Sequence, residues 1–520
     1  MRILHVASEA APFAKTGGLG DVAGALPAAQ AAAGARVVRI LPLYASCREA
    51  GIPLEPTPHE VRVALGGETV GGRLWRAVRA ERRRGPPAGD LETYLIENDR
   101  FYRRAGLYGA GHEAYPDNAA RFLFLSRAAL EAAKAVGGRF DVVHVHDWQA
   151  ALIPACLKTT HAADPVLGGA KSVLTIHNLG YQGNFPAGDM PLTGLPAELF
   201  NWKQFEFWGR LNLLKGGIVF ADALTTVSPG YAAEIRTEAF GHGLDGVLRE
   251  RAGALRGILN GIDERTWDPA SDPHLPARFD GKNLAGKAAC RRVLLERAGL
   301  PSEPDLPVAG IVSRFADQKG LDVVAAAADT LLDLGLRLVV LGDGDPGLRD
   351  FFLGLAARRP DRVAVRVGYD EPMAHLIEAG ADLFLMASRY EPCGLNQMYS
   401  QRYGTAPVVH RTGGLADTVV DATPEALRDG TATGFLFAPV APGPLVDAVR
   451  RALALRRDDP AAWRALQRAG MRKDWSWSRS AREYLALYAE LTGKPAAAAS
   501  GKGRHPAGKR KNNVKTSARR

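Results

Sequence analysis

Short, almost continuous apolar runs alternate along the chain with amphipathic stretches. The runs form two series of candidate strands, at residues 3–7, 37–41, 142–145, 173–176 and 223–227, and then at 308–312, 338–341, 363–367, 383–386 and 407–410. Runs that are apolar at nearly every position are typical of strands buried on both faces, as in parallel sheets. The stretches between them, such as 121–136 and 321–334, have helical spacing. Repeated strand–helix–strand units predict an α/β protein with doubly wound sheets.

The two series of runs are separated by residues 268–307, which are rich in Pro and Asp. We therefore expect two Rossmann-like domains, at 1–260 and 261–475, that face each other across a deep cleft. Ligands of such sheets bind beyond the carboxyl ends of the strands. Residues 61–96 alternate between apolar and polar positions, which predicts an antiparallel edge or insertion in the first domain.

The C-terminal part of the chain has two sections. Residues 476–492 are rich in aromatic side chains and have helical spacing, so we expect a helix that packs back across the domains. Residues 493–520 show no apolar periodicity and are predicted to be a disordered basic tail.

Composition excludes several classes of protein. The chain has 520 residues, 46% apolar and 23% charged, which argues against wholesale disorder, collagen or a coiled-coil rod. No apolar run reaches the ~18 residues of a membrane helix, and the N-terminus does not read as a secretory signal. The four cysteines have no C-x-x-C spacing. We expect a cytoplasmic protein without disulfides or a structural zinc site, and no membrane partner.

The net charge of +10 is concentrated at the C-terminus. Residues 501–520 contain eight basic and no acidic residues, and the rest of the chain has 58 basic against 56 acidic residues. The nearly neutral body gives no reason to expect nucleic-acid binding. Weak contact of the tail 501–520 with nucleic acid stays an alternative, although a solvated tail is the simpler interpretation.

A glycine-rich segment follows the first candidate strand. Gly17, Gly18 and Gly20 open a helix that begins near Asp21. Such a turn brings backbone N–H groups and the positive end of the helix dipole toward an anion, and Lys15 adds a full charge. The alternative is a tight turn in which the glycines only permit positive φ.

Histidines mark the ends of two later strands. His144 and His146 lie on one face of a strand, but a zinc site needs a third ligand and none has a clear spacing. We favour hydrogen-bonding roles for both. Asp147 follows at the strand end, where a carboxylate can accept hydrogen bonds from sugar hydroxyls. His177 ends the next strand, and a satisfied core histidine is an equally open interpretation.

Charged residues follow two strands of the second series. Arg314 and Lys319 lie where a strand gives way to a helix, and two fixed cations can neutralise a diphosphate. Solvated loop charges are the alternative. Glu391 precedes Cys393 and Gly394 just before a helix, which suits the binding of sugar hydroxyls, or simply complements the helix dipole.

Two further motifs concern anions and metals. Gly413 and Gly414 open another helix and offer N–H groups to an anion. Asp343 and Asp345 form the D-x-D pattern of metal-dependent sugar-nucleotide transferases, but a turn is the simpler interpretation because Asp and Gly are turn formers. We therefore predict no metal and no other cofactor.

The motifs together are more specific than any one of them. KTGGLGDV, HDWQ, HNLGYQG, ILNGID, SRFADQKG, SRYEPCGLNQ and RTGGLADT occur in this order. In this combination the chain resembles the bacterial glycogen synthases and plant starch synthases of glycosyltransferase family 5, over about residues 1–491. The resemblance implies a GT-B fold and transfer of glucose from ADP-glucose to the non-reducing end of an α-1,4-glucan, with retention of configuration and release of ADP.

The resemblance also implies residue roles. Catalytic roles fall on His177, Glu391, Arg314, Lys319 and Asp147. Substrate-binding roles fall on Lys15, Gly17, Gly18, Asp21, Asn260, Tyr369, Cys393, Gly394, Gly413, Gly414 and Leu415. In this scheme Lys15 approaches the donor phosphates, Tyr369 contacts the nucleotide and His177 lies beside the anomeric carbon.

The sequence departs from one pattern of related enzymes, and two other functions fit part of it. Many retaining GT-B enzymes carry E-x7-E, but the eighth residue after Glu391 is Tyr399. A transferase that uses UDP-glucose or a non-glucan acceptor would share most of the expected site. A catalytically idle glucan-binding protein would not need the cations that we assign to a diphosphate.

Overall fold

The computed structural model of the protein describes residues 1–78, 90–111 and 113–496. The strands are β1 (Arg2–Val6), β2 (Arg36–Pro42), β3 (Leu54–Leu65), β4 (Glu68–Ala77), β5 (Leu91–Glu97), β6 (Gly109–Ala110), β7 (Glu113–Ala114), β8 (Val142–His146), β9 (Lys171–Ile176), β10 (Asn184–Pro186), β11 (Glu206–Phe207), β12 (Arg210–Asn212), β13 (Ala223–Thr226), β14 (Leu255–Gly257), β15 (Val308–Val312), β16 (Arg337–Gly342), β17 (Val363–Val367), β18 (Leu383–Met386), β19 (Ala406–His410) and β20 (Phe435–Phe437).

The α-helices lie mostly between these strands. They are α1 (Gly18–Ala32), α2 (Ala45–Glu49), α3 (Asp99–Tyr102), α4 (Asn118–Val136), α5 (Asp147–Ala150), α6 (Ile153–Lys158), α7 (Leu213–Phe220), α8 (Pro229–Glu234), α9 (Asp245–Glu250), α10 (Ala285–Ala298), α11 (Leu321–Asp333), α12 (Pro346–Arg358), α13 (Glu371–Gly380), α14 (Asn396–Arg402), α15 (Gly413–Thr418), α16 (Pro424–Arg428), α17 (Pro442–Asp458), α18 (Pro460–Met471) and α19 (Trp477–Thr492).

The first large sheet has nine strands in the order β14-β13-β9-β8-β1-β2-β5-β4-β3. The strands from β14 to β5 are parallel, and β8 and β9 are buried along almost their whole length. The last two strands, β4 and β3, pair antiparallel. The alternating pattern at 61–96 therefore predicted the antiparallel edge correctly.

The second large sheet has six parallel strands in the order β17-β16-β15-β18-β19-β20. All ten strands expected from apolar runs are present, which confirms two doubly wound α/β sheets. The sequence analysis did not predict β14 and β20, each of which lies at one edge of its sheet. They have only three residues each, too few for a recognisable apolar run. The predicted boundary near residue 260 lies in the crossing between the sheets and stays our proposal for the domain division.

The C-terminal helix returns to the first domain, as its aromatic spacing predicted. Residues of α19, including Trp477, Leu485 and Tyr488, form one apolar cluster with Val22 and Leu26 of α1. A single bridge between Ile262 and Ser476 precedes this helix. Of the predicted disordered tail 493–520, residues 497–520 lie outside the described residues, whereas the amide of Gly493 caps α19 by donating to the Ala489 carbonyl at 2.9 Å.

The two sheets are joined by contacts that connect the ends of their strands. Helix α8, which follows β13, packs against α15, which follows β19. Ser228 Oγ donates a hydrogen bond to the Pro392 carbonyl at 2.6 Å, and the Gly230 amide donates to Asp417 at 2.6 Å. Among the helices that the structure describes, none has the length and apolarity to cross a bilayer.

Candidate active site

A cavity of about 510 Å³ opens at the carboxyl ends of β15, β16, β17 and β18. The polar part of its wall includes Arg314, Lys319, Tyr369, Ser388 and Glu391. Apolar residues of the strands form the rest of the wall. The sequence analysis named all of these polar residues except Ser388 as site residues, and the fold brings them together in one cavity.

The charged centre of this cavity is an ion pair. Lys319 Nζ lies 2.7 Å from Glu391 Oε2, and Ser388 Oγ donates to the same oxygen at 2.9 Å. The Glu391 side chain is buried. Arg314 is exposed at the cavity wall and has no ion pair among the residues that the structure describes. The centre thus combines one paired cation, one carboxylate and one unpaired guanidinium.

The segment that carries Glu391 packs directly onto the glycine pair at the start of α15. The Gly414 amide donates to the Glu391 carbonyl at 3.0 Å. A Cβ on Gly413 would lie 2.2 Å from that carbonyl oxygen, and one on Gly414 would lie 2.2 Å from the Cys393 carbonyl oxygen. Glycine is therefore required at both positions by close backbone approach.

The Gly413 amide makes a contact that the sequence did not predict. It donates at 2.7 Å to Oε1 of Glu234 from the first domain, and Thr412 Oγ1 donates to the same oxygen at 2.8 Å. The amides of Gly413 and Gly414, which we expected to face an anion, thus bond to protein acceptors in this structure. The sequence around Glu234 gives no indication of this contact, because its partners Thr412 and Gly413 lie far along the chain.

The glycine-rich segment before α1 is open toward the cleft. Gly17 has an extended φ of −162°, and a Cβ on Gly17 or Gly18 would meet no atom within 4 Å. The fold itself therefore does not require glycine there, which disfavours the tight-turn alternative. Lys15 Nζ pairs with Asp21 at 2.7 Å, and burial raises the pKa of that carboxyl.

A carboxylate that the sequence analysis missed organises this segment. Glu9 is buried, and its Oε1 accepts hydrogen bonds from Thr16 Oγ1 at 3.0 Å and Tyr108 Oη at 2.8 Å. Burial raises the pKa of Glu9. Glu9 follows β1 closely, so the strand-end criterion that selected the other candidates would have found it.

His177 and Asp147 form one unit at the ends of β9 and β8. Asp147 Oδ1 accepts a hydrogen bond from the His177 amide at 2.6 Å, and Asp147 has a φ of +52°. The buried carboxyl of Asp147 thus holds the His177 backbone, and its expected catalytic role stays a prediction. Burial lowers the pKa of His177 to about 3, so its ring is neutral near pH 7.

The ends of the two sheets meet next to His177. The His242 ring, on the loop after α8 of the first domain, lies 6.1 Å from the ring of Tyr390, which precedes Glu391. Asn260 is buried, and its Oδ1 has no hydrogen-bond partner among the described residues. Cys393 is also buried. Burial raises the pKa of its thiol to about 12, so Cys393 is not a nucleophile near neutral pH.

Of three further predicted site residues, two lie on the cavity wall. Tyr369 is largely exposed at the cavity wall after β17, and Gly394 lines the same wall with a φ of +70°. Leu415 does not line this wall, and its expected substrate-binding role stays a prediction. Its side chain is fully buried against Val409 and Val419, and its amide donates to the Thr412 carbonyl.

Two groups of residues bear on metal binding. His5, His144 and His146 offer ring nitrogens that lie within 4.8 Å of one another, so His5 supplies a third ring nitrogen that the sequence spacing did not show. Each of these rings is also hydrogen-bonded within the protein. In the D-x-D segment, Asp345 caps α12 by accepting from the Leu348 amide, in agreement with the turn interpretation.

The chain is similar to known proteins along most of its length. A family model described as the starch synthase catalytic domain matches residues 2–250, and one described as glycosyl transferases group 1 matches residues 295–468. A glycogen synthase from Anaeromyxobacter dehalogenans (strain 2CP-C) is 52% identical over 494 residues, which cover 94% of this chain and 100% of that protein. A glycogen synthase from Myxococcus xanthus (strain DK1622) is 48% identical over 493 residues, with coverage of 94% and 99%.

A solved structure extends the comparison to three dimensions. The catalytic domain of starch synthase IV from Arabidopsis thaliana, bound to ADP and acarbose, has a TM-score of 0.85 and 34% identity to this chain. The match covers 94% of this chain and 99% of that one. These findings agree with the resemblance that the ordered motifs indicated.

The buried histidines predict how stability depends on pH. Burial lowers the pKa of His5 to about 4 and of His177 to about 3, and lowers those of His144 and His146 well below the ordinary value. Below pH 6.5 the unfolded chain therefore binds protons on four rings that the folded chain leaves neutral. Two buried carboxyls, Asp147 and Glu378, have pKa values raised to about 8 and act in the opposite direction.

For these four rings alone, stability falls as the pH drops from 7 to 5.5, because the unfolded chain takes up protons that the folded chain does not. The raised carboxyls, which also include Glu9 and Asp21, contribute in the opposite direction, so the test isolates one ring. We expect His5→Gln to lose less stability than the unmodified protein between pH 7 and pH 5.5, measured as the shift of the urea midpoint of unfolding by circular dichroism. An equal shift in both proteins would contradict a buried, neutral His5.

Proposed function

The chain belongs to the glycogen and starch synthase family of glycosyltransferases, and on this premise we propose that its cleft transfers glucose from ADP-glucose to the non-reducing end of an α-1,4-glucan. The configuration at the anomeric carbon is retained, and ADP is released. The relatives that carry the name glycogen synthase match this chain along almost their whole length. The ADP and acarbose of the plant structure support a nucleotide site and a glucan site in one cleft.

One observation of this chain carries the proposal. Arg314, Lys319 and Glu391 lie on the wall of a single cavity whose volume of about 510 Å³ falls in the usual range for small-ligand sites. Two cations match a diphosphate, and a carboxylate matches sugar hydroxyls. A protein that only bound glucan would not need the two cations.

The reaction needs negative charge to be stabilised on the leaving group. When the bond between the anomeric carbon and the phosphate oxygen breaks, the electron pair stays on that oxygen. We assign Arg314 and Lys319 to the diphosphate, because preorganised cations stabilise the charge that develops in the transition state. Lys15 and the open backbone at Gly17 and Gly18 approach the same phosphates from the first domain.

The acceptor hydroxyl attacks on the face that the phosphate leaves. Its oxygen forms the new bond to the anomeric carbon, and its proton passes to an oxygen of the departing diphosphate. This front-face route needs no protein nucleophile and retains the configuration. Domain contacts around the cleft keep water away from the activated sugar, so that transfer is favoured over hydrolysis.

Other residues of the cleft are assigned to binding. We assign glucose hydroxyls to Glu391, to Asn260 with its unpartnered Oδ1 and to the backbone of Cys393 and Gly394. The exposed Tyr369 ring is assigned to the nucleotide. Neutral His177 is placed beside the anomeric carbon. The amides of Gly413 and Gly414 can reach a phosphate only after exchange of their present acceptors.

We further propose that the enzyme works without a metal or other cofactor in the cytoplasm. Arg314 and Lys319 supply the positive charge that a divalent cation would otherwise bring to the diphosphate. All four cysteines are free and buried, which fits a reducing compartment.

The first prediction concerns the cationic and acidic centre. Replacement of Lys319 by Met or of Glu391 by Gln should lower kcat roughly 100- to 1000-fold, because each removes one preorganised group from the transition state. The assay is ADP release from ADP-glucose in the presence and absence of glycogen. The matched control is Lys282→Met, an exposed lysine of the second domain. Wild-type rates in both folded site variants would refute the assignment.

The second prediction concerns metals. Turnover measured after dialysis against EDTA should equal that of untreated enzyme. A loss of activity that Zn²⁺ or Mg²⁺ restores would contradict the proposal, and it would direct attention to the His5, His144 and His146 cluster or to Asp343.

A further inference from the structure

We propose that His177 is held in one tautomer and one orientation by a buried chain of hydrogen bonds that ends on the C-terminal helix. This relay consists of His177, His146, His5, Gln30 and Tyr488. The inference rests on the proposed function, in which His177 faces the reacting sugar. It makes His146, His5, Gln30 and Tyr488 positioning residues, since none of them needs to touch the substrate.

The relay is continuous in the structure. His177 Nε2 lies 3.0 Å from His146 Nδ1, and His146 Nε2 lies 3.2 Å from His5 Nδ1. His5 Nε2 lies 2.8 Å from Gln30 Oε1, and Gln30 Nε2 donates to Tyr488 Oη at 3.1 Å. All five side chains are buried, so water does not compete for these bonds.

The glutamine sets the direction of every bond in the relay. Gln30 Oε1 can only accept, so His5 Nε2 carries a proton and Nδ1 of the neutral ring is an acceptor. His146 Nε2 then donates to His5, and His146 Nδ1 accepts from His177 Nε2. The proton of His177 is therefore on Nε2, and its Nδ1 is left as an acceptor. Neutral rings are what burial favours here.

Tyr488 extends the relay to a second histidine. Its hydroxyl accepts from Gln30 Nε2 and lies 2.6 Å from His144 Nδ1, and in the direction set by Gln30 it donates to that nitrogen. His144 Nε2 in turn lies 2.5 Å from Thr175 Oγ1. Rotation of the Gln30 amide by half a turn would reverse all of these bonds together, so the Tyr488 hydroxyl and the Gln30 amide are coupled. The protonation pattern of a cleft residue is thereby linked to a residue of α19.

The test reads the tautomer directly. In protein labelled with ¹⁵N-histidine, long-range ¹H–¹⁵N spectra distinguish rings protonated at Nε2 from rings protonated at Nδ1, and the His177 signals are those lost in His177→Gln. We expect the Nε2–H form in the full chain. In Tyr488→Phe we expect both forms, and a kcat at least about 10-fold lower, because a misplaced group loses catalytic efficiency. The matched control is Tyr484→Phe, one turn earlier on α19, whose hydroxyl is not part of the relay.

Two results would overturn the proposed relay. One is an Nδ1–H form of His177 in the unmodified protein, and the other is an equal kcat in Tyr488→Phe and Tyr484→Phe. Gln30→Met, a replacement of similar shape, carries the same expectation and serves if Tyr488→Phe does not fold. Full turnover in His177→Gln would instead refute the proposed role of His177, while the spectra of the other variants would still test the relay.

A second, independent observation concerns an exposed aromatic hairpin, formed by β11 and β12 with Trp208 and Gly209 at its turn. Trp208 is 85% exposed and has a φ of +52°, followed by Gly209 at +75°. Both central residues of such a turn favour Asn or Gly, so neither the backbone conformation nor burial explains a tryptophan at this position. Trp202 and Tyr181, on the same segment between β9 and α7, are 71% and 61% exposed.

The aromatic hairpin is fastened to the wall of the cleft. Gln182 Oε1 accepts from Asn212 Nδ2 at 2.8 Å, and Gln182 Nε2 donates to the His242 carbonyl at 3.0 Å. The His242 ring lies 6.1 Å from that of Tyr390, the neighbour of Glu391. The hairpin is therefore continuous with the rim of the proposed active site.

We infer that the aromatic hairpin binds the part of the α-glucan acceptor that extends out of the cleft. A polymer whose non-reducing end reacts inside must pass over the rim. Exposed aromatic faces can cover the apolar faces of glucose rings while the sugar hydroxyls stay in water. This inference also rests on the proposed function, because that function supplies a polymeric acceptor.

Kinetics with long and short acceptors test this inference. Trp208→Asn suits the turn and should fold normally. We expect it to raise the KM for glycogen about 5- to 10-fold, with unchanged KM for ADP-glucose and unchanged rates on maltotriose. Leu353→Ala, an exposed residue of α12, is the control. An unchanged KM for glycogen, or equal weakening with maltotriose, overturns the inference, whereas failure of the wild-type protein to use glycogen would refute the proposed function itself.

Discussion

The site depends on one constraint: the carboxyl ends of two parallel sheets are turned toward each other and joined there. In a parallel sheet every strand delivers its next loop to the same edge, so each sheet collects its polar side chains on one side. The hydrogen bond from Ser228 to the Pro392 carbonyl and the bond from the Gly230 amide to Asp417 connect these two edges directly. Because of these contacts, groups from distant parts of the chain surround a single gap.

The second domain holds its charged centre rigidly. Close backbone approach locks Gly413 and Gly414 against the segment that carries Glu391, and Ser388 fixes the carboxylate. A preorganised arrangement of this kind stabilises developing charge without having to reorganise during the reaction. The first domain contributes different groups. They are an exposed glycine segment, next to which Glu9 accepts a hydrogen bond from Thr16, and the neutral His177, whose ring is hydrogen-bonded to the buried His146. The two domains thus present different kinds of groups to the cleft.

Much of this could be predicted from the sequence, because a buried parallel strand is visible as a continuous apolar run and its end marks a ligand-facing position. That argument located Arg314, Lys319, Glu391 and His177. It gave no sign that the Asp147 carboxyl holds the His177 amide, since a carboxylate at a strand end can bind a backbone amide as well as a sugar. It also gave no sign that the Leu415 side chain is buried, because a glycine pair that opens a helix gives no information about which way the next side chain points.

Long-range partners were beyond sequence reasoning. Glu234 acts on Thr412 and Gly413 across the domain contact, and Gln30 meets a tyrosine of the last helix. A single polar residue in an amphipathic helix carries no local sign of such a partner. These residues are recognised only when the fold shows which buried donors and acceptors they satisfy.

The most direct test of the central claim is a crystal structure of the full chain with ADP. The account predicts the diphosphate between the two domains, with its oxygens hydrogen-bonded to Lys319 and Arg314 and with Lys15 facing it from the other side. ADP bound outside this gap, or with its phosphates turned away from both cations, would contradict the account.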